Sequence, residues 1–249
     1  MSTPSSTPEP AEFDGFAADY DAALNKGISL SGEAKDYFIE GRIAWLRRCL
    51  DRLGIAVPNP RVIDFGCGTG AAFSTLRRRL SASEVIGIDV SAAELEIARR
   101  ENPWAQTYQP ENAPPDLSAD IAYSNGTFHH IPPADRPGVV ARLFRQLKPG
   151  GLFALWENNP WNPGTRMVMR RIPFDRDAIA LSAPETRRLL RSAGFEVLRT
   201  DFMFIFPRQL APLRSLEPAL SRLPLGAQYQ VLCRVPAVGT GSRAPPLGV

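Results

Sequence analysis

A glycine-rich segment that follows a run of apolar residues is the strongest chemical signal in this 249-residue sequence. It reads Val62-Ile63-Asp64-Phe65-Gly66-Cys67-Gly68-Thr69-Gly70. Glycines let a backbone pass close to a ligand, and the helix expected next offers unpaired N–H groups to a carboxylate or phosphate. Asp89 follows roughly twenty residues later, at the end of a second apolar run, where an acidic side chain can accept hydrogen bonds from both hydroxyls of a ribose. This spacing predicts a site for a cofactor that contains a nucleoside.

The glycines alone do not select the cofactor. Gly66, Gly68 and Ala71 also satisfy the dinucleotide pattern G-x-G-x-x-G/A, so a nicotinamide-dependent oxidoreductase is an alternative. Asp64 favours a different ligand, because a dinucleotide fold normally has an apolar residue there and must leave room for a pyrophosphate. A fixed carboxylate suits a ligand with a positive end, such as an amino-acid ammonium. Asp64 could instead be only a capping or turn residue.

The two histidines of the sequence, His129 and His130, stand in a loop that follows the predicted fourth strand. This loop, residues 125–131, should lie at the carboxyl edge of the sheet beside a ligand crevice. A histidine titrates near neutrality and could act as a general base. One of two adjacent residues should point into the fold, so a role in packing or polar support is the other interpretation.

A long excursion follows the predicted fifth strand. Its repeated Asn-Pro steps mark turns, and residues 157–181 form a longer connection than a simple crossing requires. We expect this insertion to fold over the carboxyl edge and to shape the pocket for the substrate; a packing insertion is the alternative. The candidate substrate contacts are Glu157, Asn158, Trp161 and Arg166.

Strands alternate with helices along the chain, which predicts a doubly wound α/β fold. The sheet should be seven-stranded and mostly parallel, with an antiparallel terminal hairpin because no helix is expected between the last two strands. Ser91 with Glu94, and Ser182 with Glu185, form capping-box patterns that begin two helices. The predicted strands are 61–65, 85–90, 106–109, 120–124, 152–156, 195–206 and 228–235, and the predicted helices include 33–53, 70–80, 91–100 and 182–194.

Composition favours one domain over residues 13–236, with a helical lid at 13–55 and disordered segments at 1–12 and 237–249. The net charge of +3 accompanies no basic stripe with interleaved aromatic residues, so we expect no nucleic-acid partner. The sequence shows neither a long apolar stretch nor a secretory pattern, so we expect a cytoplasmic protein without membrane contact. Three widely spaced cysteines imply reduced thiols and no metal.

From residue 13 to residue 235 the chain resembles the class I S-adenosylmethionine-dependent methyltransferases. The resemblance rests on Asp64-x-Gly66-x-Gly68-x-Gly70, Asp89, His129-His130-Ile131 and Leu147-Lys148-Pro149-Gly150-Gly151. It implies S-adenosylmethionine as the cofactor, with the glycine loop on the methionyl part, Asp89 on the ribose, and Glu111 and Asn112 beside the adenine. At this last place the chain reads Pro-Glu-Asn-Ala where relatives often have Asp-Ala. The implied cofactor residues are Tyr20, in an N-terminal lid or a capping turn, and Asp64, Gly66, Cys67, Gly68, Gly70, Asp89, Val90, Glu111, Asn112 and Asn125.

The same resemblance implies transfer of a methyl group to a small or medium organic molecule, with O-methylation favoured over C- or N-methylation. Transfer of a sulfonium methyl is an in-line displacement, which needs alignment, exclusion of water and, for O or N acceptors, removal of a proton. The alternatives are the oxidoreductase already described and a catalytically silent scaffold that binds the cofactor or a partner protein.

Overall fold

A computed structural model of the chain describes residues 31–172 and 178–237. Helix α1 precedes the sheet, and strand β7 is the last described element. The helices and strands are α1 (Lys35–Leu53), β1 (Arg61–Phe65), α2 (Phe73–Leu80), β2 (Glu84–Ile88), α3 (Ala92–Glu101), β3 (Gln106–Tyr108), β4 (Ala119–Asn125), α4 (Arg136–Gln146), β5 (Leu147–Asn158), α5 (Pro163–Met169), α6 (Ala183–Ser192), β6 (Glu196–Met203), α7 (Glu217–Leu220) and β7 (Gln228–Arg234).

The seven strands form one sheet in the order β3-β2-β1-β4-β5-β7-β6. Strands β1 to β5 are parallel to their neighbours, whereas β7 runs antiparallel to both β5 and β6. Register places Phe65, at the end of β1, opposite Ile88 on one side and Ser124 on the other. The carboxyl ends of β1, β2 and β4 therefore meet at one edge, and the residues that follow them are brought together. The predicted fold class is confirmed.

Helix boundaries follow from capping chemistry at the positions that the sequence marks. Ser91 precedes α3 and its hydroxyl accepts a hydrogen bond from the Glu94 backbone N–H at 3.1 Å. Ser182 and Glu185 form a reciprocal capping box at the start of α6. Helix α1 ends at Gly54, whose φ of 64° is the left-handed conformation that glycine adopts most easily.

The core lies in two layers, one on each face of the sheet. Alternating side chains of β1 divide between them: Ile63 packs in one layer, and Val62 packs in the other with residues of α1 such as Ile43. Because parallel strands in this arrangement are buried on both faces, a shift in register would expose apolar surface. The strand ends that carry the candidate site are thereby fixed in position.

Two expectations about the elements need correction. The connection between β6 and β7 is helical, with a 3-10 segment at Arg208–Leu216 and then α7, although no helix was expected there. Strand β5 continues to Asn158, and the insertion therefore begins later than residue 157. The expected antiparallel hairpin is present at the edge of the sheet, where β7 pairs with β5 and β6 is the edge strand.

Some expectations lie outside the described residues. These are the disordered segment 1–12, residues 13–30 of the helical lid 13–55 with Tyr20 among them, and the tail after residue 237. Among the helices that the structure describes, none is long and apolar enough to cross a membrane.

Candidate functional site

The glycine loop turns sharply from β1 toward α2. Gly66 has a φ of 73°, and its backbone N–H donates to the Ile88 carbonyl oxygen at 2.8 Å. A Cβ atom at Gly66 would lie 2.0 Å from Thr127 Oγ1, so a side chain cannot be accommodated without displacing the loop after β4. Both the backbone conformation and the close approach therefore require glycine at this position.

Asp89 ties the glycine loop to the end of β2. One carboxylate oxygen accepts the Gly68 backbone N–H at 2.8 Å, and the other accepts the Ser91 backbone N–H at 3.0 Å. These bonds hold the carboxylate at the end of β2, the position that the sequence predicted. Val90, the next residue, is exposed and lines the adjoining cavity.

Asp64 is only 3% exposed and also lines this cavity. Burial, together with the negative charge of Asp89, raises the pKa of its carboxyl to about 7, while the Arg42 guanidinium acts in the opposite direction. A buried carboxyl group beside a second, partly exposed one favours a cationic ligand group, which would stabilise the ionised form of Asp64.

The glycine-loop cavity, of about 480 Å³, extends along these residues. Gly70 does not line it; its N–H donates to the Cys67 carbonyl oxygen and shapes the turn into α2. Burial raises the pKa of the Cys67 thiol well above its usual range, so this side chain meets the cavity as a neutral thiol. The implied cofactor residues that do line it are Asp64, Gly66, Cys67, Gly68, Asp89, Val90 and Asn125.

Glu111 and Asn112 do not line the glycine-loop cavity. Both are exposed in the 3-10 segment Pro110–Asn112, and Pro110 lines the cavity in their place. Arg142 also lines it, and its guanidinium holds the turn by donating to the Pro110 carbonyl oxygen at 2.7 Å. The geometry thus does not support the assignment of Glu111 and Asn112, because the short helical turn leaves their side chains in solvent.

A second cavity of about 380 Å³, here called the aromatic cavity, adjoins the first. Its lining combines aromatic side chains with three cations, Lys35, Arg42 and Arg214, and with one carboxylate, Glu33. The aromatic residues that line it are Tyr37, Phe38, Phe204 and Phe206. Five residues, termed the shared wall, line both cavities: Lys35, Arg42, Asn125, Gly126 and His130.

Arg42 of α1 is the member of the shared wall that sequence reasoning missed. It is 6% exposed; its Nε donates to Tyr123 Oη and its Nη1 to Gln228 Oε1, both at 3.0 Å. One signal was present in the sequence, since Arg42 lies on the buried face of α1 beside Ile39 and Ile43. A cation on an otherwise apolar helix face needs a polar partner.

The adjacent histidines differ in burial, although both line the aromatic cavity. His129 is 3% exposed, and its Nδ1 lies 2.6 Å from Glu157 Oε2. The other oxygen of Glu157 accepts the Phe128 backbone N–H at 2.8 Å. His130 is less buried and belongs to the shared wall. Glu157 was expected to contact substrate, but its carboxylate is 1% exposed, lines neither cavity and is bonded within the protein.

Of the other three substrate candidates, only Asn158 lines the aromatic cavity. Trp161 is exposed and stacks near Phe202, with ring centroids 6.4 Å apart. Arg166 is exposed on α5, whose cavity-facing residues recur at helical spacing and leave it on the opposite face. The lining residues from this region are Asn162, Gly164, Thr165, Val168, Met169 and Ile172.

No group of three metal-ligating side chains occurs within residues 31–172 and 178–237. The three cysteines, all in this part of the chain, are buried and reduced. The site therefore consists of two adjoining cavities, one with a carboxylate pair and a glycine loop and the other with aromatic and cationic side chains.

Comparison with known proteins agrees with this geometry. A family model described as a methyltransferase domain matches residues 38–200. The trans-aconitate 2-methyltransferase of Acidovorax sp. is 31% identical over 192 residues, which are 68% of this chain and 74% of that protein. The carboxy-S-adenosyl-L-methionine synthase of Alteromonas mediterranea is 33% identical over 123 residues, 45% of this chain and only about half, 51%, of that protein.

The fold is also that of solved methyltransferases. A chain from the complex between the Trm112 methyltransferase activator of Haloferax volcanii and its methyltransferase partner matches with a TM-score of 0.62. The two are 23% identical, and the match covers 90% of this chain and 98% of that one. The chain described here belongs to the methyltransferase-domain family and is a class I S-adenosylmethionine-dependent methyltransferase.

Proposed function

We propose that the protein transfers the methyl group of S-adenosylmethionine to an oxygen atom of a small organic acid with an apolar body. One observation carries this proposal: among its described lining residues the aromatic cavity has three cations and one carboxylate, and it shares a wall with the glycine-loop cavity. Membership of the methyltransferase family rules out the nicotinamide-dependent alternative. The catalytically silent scaffold is left to experiment.

The residues of the glycine-loop cavity fit S-adenosylmethionine. Asp64 is a buried carboxylate beside a second one, an arrangement that an amino-acid ammonium would stabilise. Gly66 and Gly68 present only backbone to the cavity, and the Asp89 carboxylate lies where it could accept hydrogen bonds from the ribose hydroxyls. Bound S-adenosylmethionine supplies an electrophilic methyl group on a sulfonium.

The aromatic cavity supports an anionic acceptor with an apolar part. Phe38 and Phe204 pack edge to face, with ring centroids 5.0 Å apart, and offer apolar surface. Arg214 is paired with Glu33 at 2.9 Å, and Lys35 and Arg42 are the other two cations among the described lining residues. Both belong to the shared wall, where an acceptor oxygen would be close to the methyl donor. The relatives named for trans-aconitate are in keeping with an organic acid anion.

A carboxylate acceptor simplifies the chemistry that the protein must supply. A carboxyl group with a pKa near ~4 is ionised at neutral pH, so no general base is needed before methyl transfer. His130 then orients the acceptor and excludes water at the shared wall, and this assigns it a positioning role. Alignment of the two reactants is the main contribution of the site.

The experiment is a panel of matched acceptors that differ at one group: an aromatic carboxylic acid, its primary amide and the corresponding alcohol. Formation of S-adenosylhomocysteine and of the methyl ester is measured by mass spectrometry. We expect turnover of the acid alone. Equal turnover of the alcohol would contradict the carboxylate assignment, and the absence of turnover across a broad panel with intact cofactor binding would favour the silent scaffold.

Two lysine substitutions, one at the shared wall and one outside it, test the contribution of positive charge to acceptor binding. Lys35→Gln should raise the KM of the acid by about tenfold, as expected for the loss of one charge contact of ~1.4 kcal/mol, with a smaller effect on kcat. Lys148→Gln is the matched control, because Lys148 is exposed, paired with Asp120 and lines neither cavity. Equal KM changes in the two variants would remove the support for a cationic wall.

A further inference from the structure

We infer that Glu157 and His129 form a positioning pair that fixes the loop after β4 and thereby sets the place of His130 in the shared wall. Glu157 lines neither cavity and acts through the loop, whereas His129 also lines the aromatic cavity. Its kinetic consequence rests on the proposed function. Its spectroscopic and exchange consequences do not, because they need neither the methyl donor nor the acceptor.

The Glu157 side chain attaches the loop to β5 at two points. Glu157 is the penultimate residue of β5, and its two carboxylate oxygens accept from consecutive residues, the Phe128 backbone N–H at 2.8 Å and the His129 ring at 2.6 Å. Both side chains of the pair are almost completely buried. Since an ionised carboxylate can only accept, the geometry points to a His129 ring that carries a proton on Nδ1.

A further backbone bond joins the same loop to the same strand. The Gly126 N–H donates to the Trp156 carbonyl oxygen at 3.0 Å, one residue before Glu157. The loop is thus attached to β5 at its beginning by the backbone and in its middle by a side chain. His130 follows directly, with its ring centroid 4.1 Å from that of His129. A rotation of the His129 ring would therefore move or release its neighbour.

The pair also reaches the returning end of the insertion. The His129 carbonyl oxygen accepts the Ile179 backbone N–H at 2.8 Å. Arg136 bridges the same two segments, since it donates to the Ile131 carbonyl oxygen at 2.9 Å and to the Ile179 carbonyl oxygen at 2.7 Å. The position of His129 therefore determines where the insertion is anchored, as well as where His130 stands.

A buried polar pair fixes the position of the loop after β4 in a way that apolar packing could not. An apolar side chain at position 157 could fill the volume, but it would leave the Phe128 N–H and the His129 ring without fixed partners. A fully satisfied polar network instead selects one arrangement of the groups that it joins. Positioning of a wall residue matters because a displacement of ~1 Å can reduce turnover about 100-fold.

The first test reads the tautomer of His129 directly. The chain has two histidines, so the imidazole ¹⁵N spectrum contains two ring systems, which the His130→Ala variant assigns. At about pH 7.5 we expect the His129 ring to be protonated on Nδ1 in the native protein. In Glu157→Gln this preference should be reduced, and exchange of the Phe128 amide hydrogen should become about tenfold faster or more. A native ring protonated only on Nε2, or unchanged exchange in the variant, would overturn the inference.

The second test is a double-mutant cycle with an acceptor that the native protein methylates. Glu157→Gln should lower kcat about tenfold or more while the Kd of S-adenosylhomocysteine changes by less than about threefold. In the His130→Ala background the same change should reduce kcat by less than about threefold, because the pair acts through His130. Fully additive losses would show that the pair does not act through this residue.

Asp201→Asn is the control for a general loss of stability. Asp201 is a fully buried carboxylate bonded to Arg199, and it lines neither cavity. This variant should lower Tm without altering the His129 tautomer or kcat. His129→Gln serves if Glu157→Gln does not fold, because it retains the Glu157 bond to Phe128. If no acceptor is methylated, the proposed function fails, while the tautomer and exchange measurements still decide the positioning role.

Discussion

Replacement of Asp64 by Asn should make the unliganded protein more stable while it weakens binding of the methyl donor. Asp64 is almost fully buried, and Asp89 is the nearby carboxylate whose charge opposes its ionisation. An amide removes the buried charge but keeps the size of the side chain. The native carboxyl group is therefore expected to contribute to binding at the expense of stability, a relation that is common at ligand sites.

The size of the stability effect follows from the pKa of Asp64. Burial and the charge of Asp89 raise that pKa from 3.8 to about 7. Between these two values the folded protein retains a proton that the unfolded chain has lost, so the free energy of unfolding decreases as pH rises from about 4 to about 7. At ~1.4 kcal/mol per pKa unit, the loss is at most about 4 kcal/mol above pH 7. Asp64→Asn should abolish this pH dependence.

Ligand binding should depend on pH in the opposite sense. An ammonium group binds the ionised carboxyl, which is about one tenth of the population at pH 6 and about nine tenths at pH 8. The affinity of S-adenosylhomocysteine for the native protein should therefore rise about tenfold over this range. Asp64→Asn should bind it weakly and with little change over the same range.

Urea unfolding and isothermal titration calorimetry at matched pH values measure the two effects. The control ligand is 5′-methylthioadenosine, which has the nucleoside but lacks the amino-acid part, and its affinity should be similar in the native protein and the variant. The reasoning is refuted if Asp64→Asn retains native affinity for S-adenosylhomocysteine and its stability difference from the native protein is the same at about pH 4 and pH 8.

Two further predictions separate the parts of the donor site. Asp89→Asn should lower the affinity for S-adenosylhomocysteine and for 5′-methylthioadenosine alike, by about tenfold, because both ligands contain the ribose. A loss of affinity for only one of the two ligands in calorimetry would contradict a ribose contact. Gly66→Ala should lower the free energy of unfolding by more than ~1 kcal/mol and abolish donor binding, because the new Cβ would strike Thr127 in a left-handed backbone conformation. Gly138→Ala, at an open position in α4, should instead raise stability by about 0.5–1 kcal/mol in the same urea titration, and equal losses would show that sterics at Gly66 are not the cause.

Local patterns predicted most of the sheet and most of the residues that the structure brings together at the glycine-loop cavity. Apolar runs identify β1, β2 and β4, and the glycines with Asp64 and Asp89 are close in sequence to the strand ends that position them. The antiparallel strand was also expected, but its insertion between β5 and β6 was not. That placement depends on which strand edge is available after the other strands have assembled, and a linear pattern does not contain this information.

The orientation of Glu157 could have been derived from strand alternation. Phe153 and Leu155 belong to the same core layer as Phe128, and Glu157 continues that alternation to the end of β5. Ending the predicted strand at residue 156 assigned Glu157 to the insertion and so to substrate. An error of two residues at one strand end thus changed the expected role of a side chain from positioning to binding.

The contacts of Arg42 could not be predicted from the linear sequence. They also show how the two cavities are joined. Tyr123, which accepts from its Nε, is paired in register with Asp64 across β1 and β4. Gln228, which accepts from its Nη1, is paired with Asn158 across β5 and β7. One guanidinium therefore connects the strand pair that contains Asp64 to the strand pair that contains Asn158, which lines the aromatic cavity. Because α1 supplies this connection, its contribution extends beyond packing: in the proposed function it sets the distance between the methyl donor and the acceptor.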